Sequence, residues 1–243
     1  MCLITLAYKE HPKYPLILAA NRDEFRDRPA APASFWVDAP HILAGRDQQA
    51  GGTWLGLTRA GRFAALTNHR DLRRPPKQGP SRGLLVRKAL EAELDGEDTR
   101  AYEGFNLIHG HLDGLSYHNN VQPDSQPLRP GIHGLSNAFL NTPWPKVEQA
   151  RSNLQQLIQS SGDHLVEGLF GSLGQQVFAP DDRLPDTGLN KELERAVSPI
   201  FIDTPNYGTR CSTVILVRAD GDVYFEERTW PEGSVVVERF SLE

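Results

Sequence analysis

Apolar and polar positions alternate with strand-like spacing at both ends of the chain and with helical spacing in between. Cys2–Tyr8 and Leu16–Asn21 are short apolar runs rich in branched residues, separated by a polar break holding Pro12 and Pro15. Runs of this length bounded by turn residues predict adjacent strands. In the first, Cys2, Ile4 and Leu6 share one face and Leu3, Thr5 and Ala7 the other, and neither face is strongly polar. A strand of that kind is buried on both sides. Arg26–Pro32 reads as a proline-bearing loop and His41–Asp47 as a short strand. Gly51–Asn68 predicts a hairpin with arms Thr53–Thr58 and Phe63–Asn68 around Arg59-Ala60-Gly61-Arg62. Arg70–Pro80 is basic, proline-rich and without period, which predicts an exposed loop.

Helical spacing begins after that loop. Ser81 is placed to cap a helix over Arg82–Leu94, ended by Asp95-Gly96. Lys146–Ser160 carries Val147, Ala150, Leu154, Leu157 and Ile158 on one face. Asp163 is placed to cap a further helix over Leu165–Leu173, and Leu189–Val197 is a shorter helix. Phe105–His111 and Leu115–Asn119 predict a hairpin around Asp113-Gly114, and Gly131–Phe139 a strand carrying Ser136-Asn137. A long hairpin, Thr209–Ala219 and Asp222–Trp230, and a last strand, Ser234–Leu242, complete the chain. There is no βαβ alternation and no internal repeat. That order predicts an α+β fold of mostly antiparallel sheets with helices grouped outside, in one domain over residues 1–243.

Composition narrows the function class. Of the 243 residues, 39% are hydrophobic and 23% charged, with a net charge of −5, so the basic footprint of a nucleic-acid binder is missing. No apolar run approaches the roughly 18 residues of a membrane span. Lys9 and Glu10 interrupt the start of the chain, which lacks a signal-peptide layout. The expected compartment is the cytosol, and both cysteines are expected to be free thiols. The oligomeric state is left open by the sequence.

Candidate chemistry concentrates at the start. Cysteine is small enough for methionine aminopeptidase to remove Met1, leaving Cys2 with a free α-amine and a thiol on one residue. Their ordinary pKa values, about 8 and about 8.5, allow the amine to take or hold the thiol's proton near neutral pH. This is the arrangement of covalent acyl transfer by an N-terminal nucleophile. The cluster Asn21, Arg22, Asp23 and Glu24 follows the second strand. If that strand is the antiparallel neighbour of the first, its end lies beside Cys2. Asp23 can then accept from the ammonium, whereas Arg22 can only donate. A carboxylate there raises the amine's pKa, and the ammonium favours a thiolate at neutral pH. Glu24 is expected to point elsewhere.

Other groups carry two readings each. Asn68, ending the arm Ala65-Leu66-Thr67-Asn68, and Asn137 are either oxyanion donors or turn residues. Arg210, at the start of an apolar strand, needs a partner or a pocket. Strand parity then turns Cys211 away from the site, which excludes a Cys2–Cys211 disulfide. The backbone at Gly51-Gly52-Thr53-Trp54 either approaches a ligand or forms a bulge. His109, His111 and His118 have spacing that a metal site can use, but no carboxylate or cysteine completes a set, and no metal is assigned.

The combination of Met-Cys with Ala20-Asn21-Arg22-Asp23-Glu24-Phe25, Gly51–Gly56, Ala65–Asn68, Gly134–Asn137 and Tyr207–Arg210 resembles the NRDE, or transport-and-Golgi-organisation-2, family. The resemblance runs over nearly the whole chain. It implies the four-layer αββα sandwich of N-terminal nucleophile hydrolases, related to penicillin V acylases and bile-salt hydrolases. It implies Cys2 as nucleophile, Asp23 as the carboxylate beside the amine, Asn68 and Asn137 as orienting amides and Arg210 as a basic neighbour. Those acylases carry an arginine three residues before the aspartate, where this chain has Ala20, and Arg22 adjoins Asp23 instead. Asn21 and Arg22 are therefore secondary candidates. The expectation is a cofactor-free cysteine amidohydrolase for a C–N bond of an acylated small molecule. The alternative from another class is a carrier of haem or acyl lipid, in which Cys2 is a possible haem ligand.

Overall fold

A computed structural model describes residues 2–94, 96–122, 124–159 and 163–243, with the backbone but not the side chains of Asp124 and Asp163. Met1 and Asp95 of the expected helix stop therefore lie outside the described residues, as does the side chain of Asp163, the expected cap.

The chain forms strands β1 (Cys2–Tyr8), β2 (Leu16–Phe25), β3 (Ala30–Trp36), β4 (Ala39–Asp47), β5 (Leu55–Thr58) and β6 (Arg62–Asn68). Helix α1 (Arg82–Glu91) follows, then β7 (Phe105–His111), β8 (Ser116–Asn119), β9 (Asp124–Pro127) and β10 (Gly131–Leu135). Helices α2 (Pro145–Leu157), α3 (Asp163–Leu173) and α4 (Lys191–Ala196) precede β11 (Tyr207–Val217), β12 (Asp222–Thr229) and β13 (Val235–Ser241). One sheet has the order β10-β1-β2-β11-β12-β13 and the other β3-β4-β5-β6-β7-β8-β9. Every strand pair is antiparallel.

Three of the four buried apolar clusters among the described residues stack these layers. Ile4, Leu6, Leu18 and Phe225 of the first sheet meet Leu43, Leu57, Phe63 and Ile108 of the second. The next residues along the same strands, Ile17, Ala19, Val214 and Leu216, face the other way onto Leu154, Leu165, Leu169 and Phe170 of α2 and α3. Ile42, Ala64 and Leu107 on the outside of the second sheet cover Leu85, Val86, Ala89 and Leu90 of α1. The two-residue period of a strand thus delivers apolar side chains to both faces of the inner strands. The result is the expected α+β sandwich, with helix, sheet, sheet and helix in that order.

The structure corrects several element bounds. β2 does not stop at Asn21 but runs to Phe25, because β1 and β11 bond it on both sides through the polar cluster. Residues 30–32 begin a strand rather than end a loop. β3 is an edge strand, and Pro32 falls in a register irregularity between Ala31 and Ser34. A proline is tolerated at such a place because no ladder hydrogen bond is asked of it. β9 was not expected; it is a short edge strand without alternation. β10 ends at Leu135, so Ser136-Asn137 lie just beyond it. Ser81 holds the N-cap position of α1, but its side chain makes no capping bond.

Candidate functional site

A cavity of about 550 Å³ opens at the Cys2 end of β1. Its lining includes Cys2, Arg22, Asp23, Asn68 and Arg210. Cys2 pairs directly with Arg22 on β2, and Arg22 pairs in turn with Cys211 on β11. Directly opposed residues share a face. The two thiols therefore flank Arg22 on the side of the sheet that faces the second sheet.

Parity alone predicts Arg210 inward and Cys211 outward. The structure corrects this: both line the cavity. The register shifts between Thr209 and Cys211, so Arg210 is the extra residue of a bulge and the alternation breaks there. Arg210 Nη1 donates to the carbonyls of Phe25, Arg26 and Arg28 at 2.9, 3.0 and 3.1 Å. Cys211 is backed by Glu227, and burial together with that carboxyl raises its thiol well above the usual range. Both cysteines are free. β2 lies between them, which separates their strands by two spacings, about 10 Å. A disulfide needs Cα atoms within about 7 Å. The expected absence of the bond holds, for a reason other than parity.

Asp23 is 1% exposed. Its Oδ1 accepts from Thr209 Oγ1 at 2.8 Å, and its carbonyl accepts from the Tyr207 hydroxyl at 2.9 Å. Burial raises the Asp23 pKa, and the Lys146 ammonium opposes that rise. Lys146, in the first turn of α2, is 5% exposed and donates from Nζ to the Val197 carbonyl at 2.9 Å. Burial lowers its pKa to about 8, while Asp23 acts to raise it. With Met1 in place, burial raises the Cys2 pKa, and the α-amine and Arg22 only partly offset it. Desolvation disfavours the charged thiolate more than its neighbours favour it. The expected thiolate belongs to the chain without Met1, in which the α-amine sits on Cys2 itself.

The amides divide. Asn68, at the end of β6, lines the cavity. Asn137 is fully buried, and its Nδ2 donates to the Asn68 carbonyl at 2.9 Å. Its neighbour Ser136 donates from Oγ to the Cys2 carbonyl at 3.1 Å. Asn137 thus stands behind Asn68 and away from the cavity wall. Asn21 is likewise fully buried on the helix side, its Nδ2 donating to Leu173 and Ile200 carbonyls, both at 2.9 Å, and its Oδ1 accepting from Ser212 at 2.7 Å. It ties the sheet to the helical layer.

The Gly51–Trp54 turn brings backbone against backbone rather than against a ligand. A Cβ on Gly52 would lie 2.3 Å from the Gly83 carbonyl carbon, so the turn seats on the start of α1. Trp54 meets the cavity from that turn. Most of the loop over Arg70–Pro80 is exposed, as expected of a basic, proline-rich stretch, but Arg70 is not. It forms a buried ion pair with Glu194 at 2.8 Å, the side chains being 8% and 3% exposed. Among the described residues, no group of three or more His, Cys, Asp and Glu is placed to hold a metal. No helix among them is long and apolar enough to cross a membrane.

Sequence reasoning missed Lys146, Glu227 and Arg82. Lys146 had a signal: it precedes Ala150 by four residues, so it sits on the apolar stripe of α2. Glu227 follows Val223 and Phe225 on the inward face of β12, where a carboxyl needs partners. It finds the Ala33 N–H at 2.7 Å and the Thr213 hydroxyl at 3.4 Å.

The model of the Transport and Golgi organisation 2 family matches residues 1–232. The Transport and Golgi organization protein 2 homologues of Bos taurus and Homo sapiens are each 36% identical, over 94% of this chain and 93% of their own. Transport and Golgi organization protein 2 of Drosophila melanogaster is 27% identical over 94% of this chain and 92% of its own. Among solved structures, a mutant conjugated bile acid hydrolase from Clostridium perfringens superposes with a TM-score of 0.50 at 7% identity, covering 100% of this chain and 97% of that one. That likeness concerns the fold, which is of the N-terminal nucleophile hydrolase kind. By sequence, over nearly its full length, the chain belongs to the Transport and Golgi organisation 2 family.

Proposed function

We propose that the protein is an N-terminal-cysteine amidohydrolase that cleaves the C–N amide bond of an acylated small molecule. The observation that carries the reading is the placement of Cys2: it meets the cavity at the start of a central strand, directly opposite Arg22 and next to the buried Asp23. Removal of Met1 would put a titratable amine on the same residue. The fold shared with a protein named a conjugated bile acid hydrolase supports the bond class.

In this mechanism the Cys2 amine takes the thiol proton as the sulfur attacks the acyl carbon. The negative charge that develops on the carbonyl oxygen is met by the Asn68 amide, the cavity-lining amide of the two candidates. One such donor is worth roughly 10²–10³-fold in rate. The resulting ammonium gives its proton to the leaving nitrogen, and the C–N bond breaks. Water, deprotonated by the same amine, then attacks the thioester, releasing the carboxylic acid and restoring the thiol. Asp23 holds the ammonium in place, and Lys146 and Thr209 hold Asp23. Burial raises the thiol pKa, which favours a base on the same residue to take the proton.

Haem fits the site less well. A porphyrin face needs apolar walls, and this cavity is ringed by charged side chains, Arg22, Arg28, Arg46, Asp47, Arg82 and Glu24 among them. The test is amine release from a panel of N-acyl amides, followed with an amine-reactive dye. Cleavage by the processed protein, lost in Cys2→Ala and in protein retaining Met1, is expected. Equal release by all three forms overturns the proposal.

A further inference from the structure

Many of the charged groups around the cavity are already engaged. Arg28 pairs with Asp47 at 2.6 Å and Arg46 with Asp38. Glu24 accepts from the Phe25 N–H at 2.9 Å and Glu103 from the Lys77 N–H at 2.6 Å. Glu227 is engaged by Ala33 and Thr213, and Asp23 by Thr209. Three lining guanidinium groups pair with no carboxylate among the described residues; Arg210 is engaged by three backbone carbonyls, which leaves Arg22 and Arg82. Arg22 is 9% exposed, lines the cavity, and has no hydrogen-bond or ion-pair partner among the described residues. Arg82 donates from Nη1 to the Gly104 carbonyl at 3.0 Å and pairs with no carboxylate among them. The Asp23 and Glu227 carboxyls act on Arg22 through space, but its N–H groups have no acceptor among the described residues, and a mostly buried guanidinium with idle donors favours a ligand that supplies one.

The same wall carries the N-terminus of α1. Ser81, Arg82 and Gly83 all line the cavity. The Arg82 and Gly83 N–H groups have no acceptor within the helix. The Ser81 side chain does not cap it, and its first turn holds no acidic residue. An uncapped ten-residue helix with its positive end open to a cavity is a ready site for an anion. Here the helix end and the unmatched Arg22 and Arg82 line the same cavity.

We infer that this corner is a subsite for an anionic oxygen group, a carboxylate or a phosphate, held by Arg22, Arg82 and the α1 N-terminus beside Cys2. Arg22 lies directly across the strand pair from Cys2, so the anion binds within one strand spacing of the nucleophile. The substrate class becomes an acyl amide whose amine portion carries an acid. This step rests on the proposed amidohydrolase reading, but the subsite is a binding property and stands or falls without turnover. It also accounts for the close backbone contact of Gly52 on Gly83, which fixes the helix start at the cavity wall.

The test is calorimetric titration of the full-length Cys2→Ala protein, which cannot turn over. The probes are N-octanoylglycine, its neutral counterpart N-octanoylglycinamide, and inorganic phosphate. The acid is expected to bind at least about tenfold tighter than the amide, with an affinity that falls as salt rises. Arg22→Gln and Arg82→Gln are each expected to remove most of that preference. Arg59→Gln, outside the cavity, is expected to leave it unchanged. Competition by phosphate against the acid places both oxyanions in one subsite. Phosphate binding without acid binding keeps the subsite and makes phosphate, not carboxylate, its natural group. Equal binding of acid and amide without phosphate binding overturns the inference, with no variant needed. A preference that survives both arginine substitutions also overturns it. Failure of amide cleavage in the wild type, with the acid preference intact, would reject the amidohydrolase reading alone.

Discussion

Replacing Arg70 with methionine should cost far more than its place in a basic surface loop implies. The loop Arg70–Pro80 looks like a solvated stretch, where an ion pair contributes about 0–1 kcal/mol. Arg70, however, donates from Nη2 to Glu194 Oε2 at 2.8 Å, and its Nε donates to Thr187 Oγ1 at 2.9 Å. Both side chains of the pair are almost fully enclosed. Methionine keeps the aliphatic packing but leaves the Glu194 carboxylate with Thr187 as its remaining donor. Breaking a buried pair from one side costs about 3–5 kcal/mol, because the surviving charge loses its compensation. For a chain of this size that corresponds to a fall in melting temperature of roughly 6–20 °C. The assay is urea unfolding at pH 7 of wild type, Arg70→Met, Glu194→Gln and the double variant. The double variant should be more stable than the sum of the single losses predicts, since neither partner is then stranded. The consequence reaches the cavity, because the Arg70 backbone N–H also binds the Asn137 carbonyl at 2.8 Å, beside Asn68. A loss below about 1 kcal/mol for Arg70→Met, the surface-pair figure, or strict additivity, would refute the reasoning.

Other outcomes follow from the same geometry. Lys146 titrates at about 8 in the fold against 10.5 as its ordinary value, so between those values the unfolded chain binds more protons and stability rises with pH. Lys146→Met should abolish that rise in urea midpoints measured from pH 7.5 to 10.5; an unchanged slope would count against a buried ammonium. Gly52→Ala forces a Cβ onto the Gly83 backbone at 2.3 Å and should destabilise by about 2–3 kcal/mol in urea. Gly51→Ala, with nothing within 4 Å but φ at +75°, should cost only its backbone strain, about 1 kcal/mol. Limiting iodoacetamide at pH 8 should label Cys2 before Cys211, whose thiol is held protonated by burial and Glu227; peptide mapping that finds Cys211 labelled first would contradict this.

What could be read from the chain, and what could not, has a common physical basis. β1 and the β5–β6 hairpin were legible because their apolar period and turn residues are local. The end of β2 was not. The polar run from Asn21 looks like the end of a strand, yet the Asn21 and Asp23 side chains bond to Leu173, Ile200, Thr209 and Ser212, more than 150 positions away. The bulge at Arg210 defeated a parity argument that is sound for an unbroken ladder. The position of Cys2 opposite Arg22 was derivable once the two strands were paired, and the neighbourhood of Cys2 and Asp23 followed from it. Asn137 carries the same residue type as Asn68, but only the fold tells the cavity amide from the one behind it. Lys146 and Arg82 reach the site from helix starts, where no strand pattern points to them.

The measurement that bears most directly on the account is acyl transfer to Cys2 from p-nitrophenyl acetate, followed by p-nitrophenolate release and intact mass. Protein lacking Met1 should give a burst of one equivalent with an acetyl group mapped to Cys2. Asp23→Asn should slow that burst at least tenfold while leaving the fold intact by circular dichroism. Protein retaining Met1 should show no burst. Acetyl found on Cys211 or on surface lysines alone, or a burst of equal rate with Met1 in place, would contradict the claim that the N-terminal cysteine is the nucleophile.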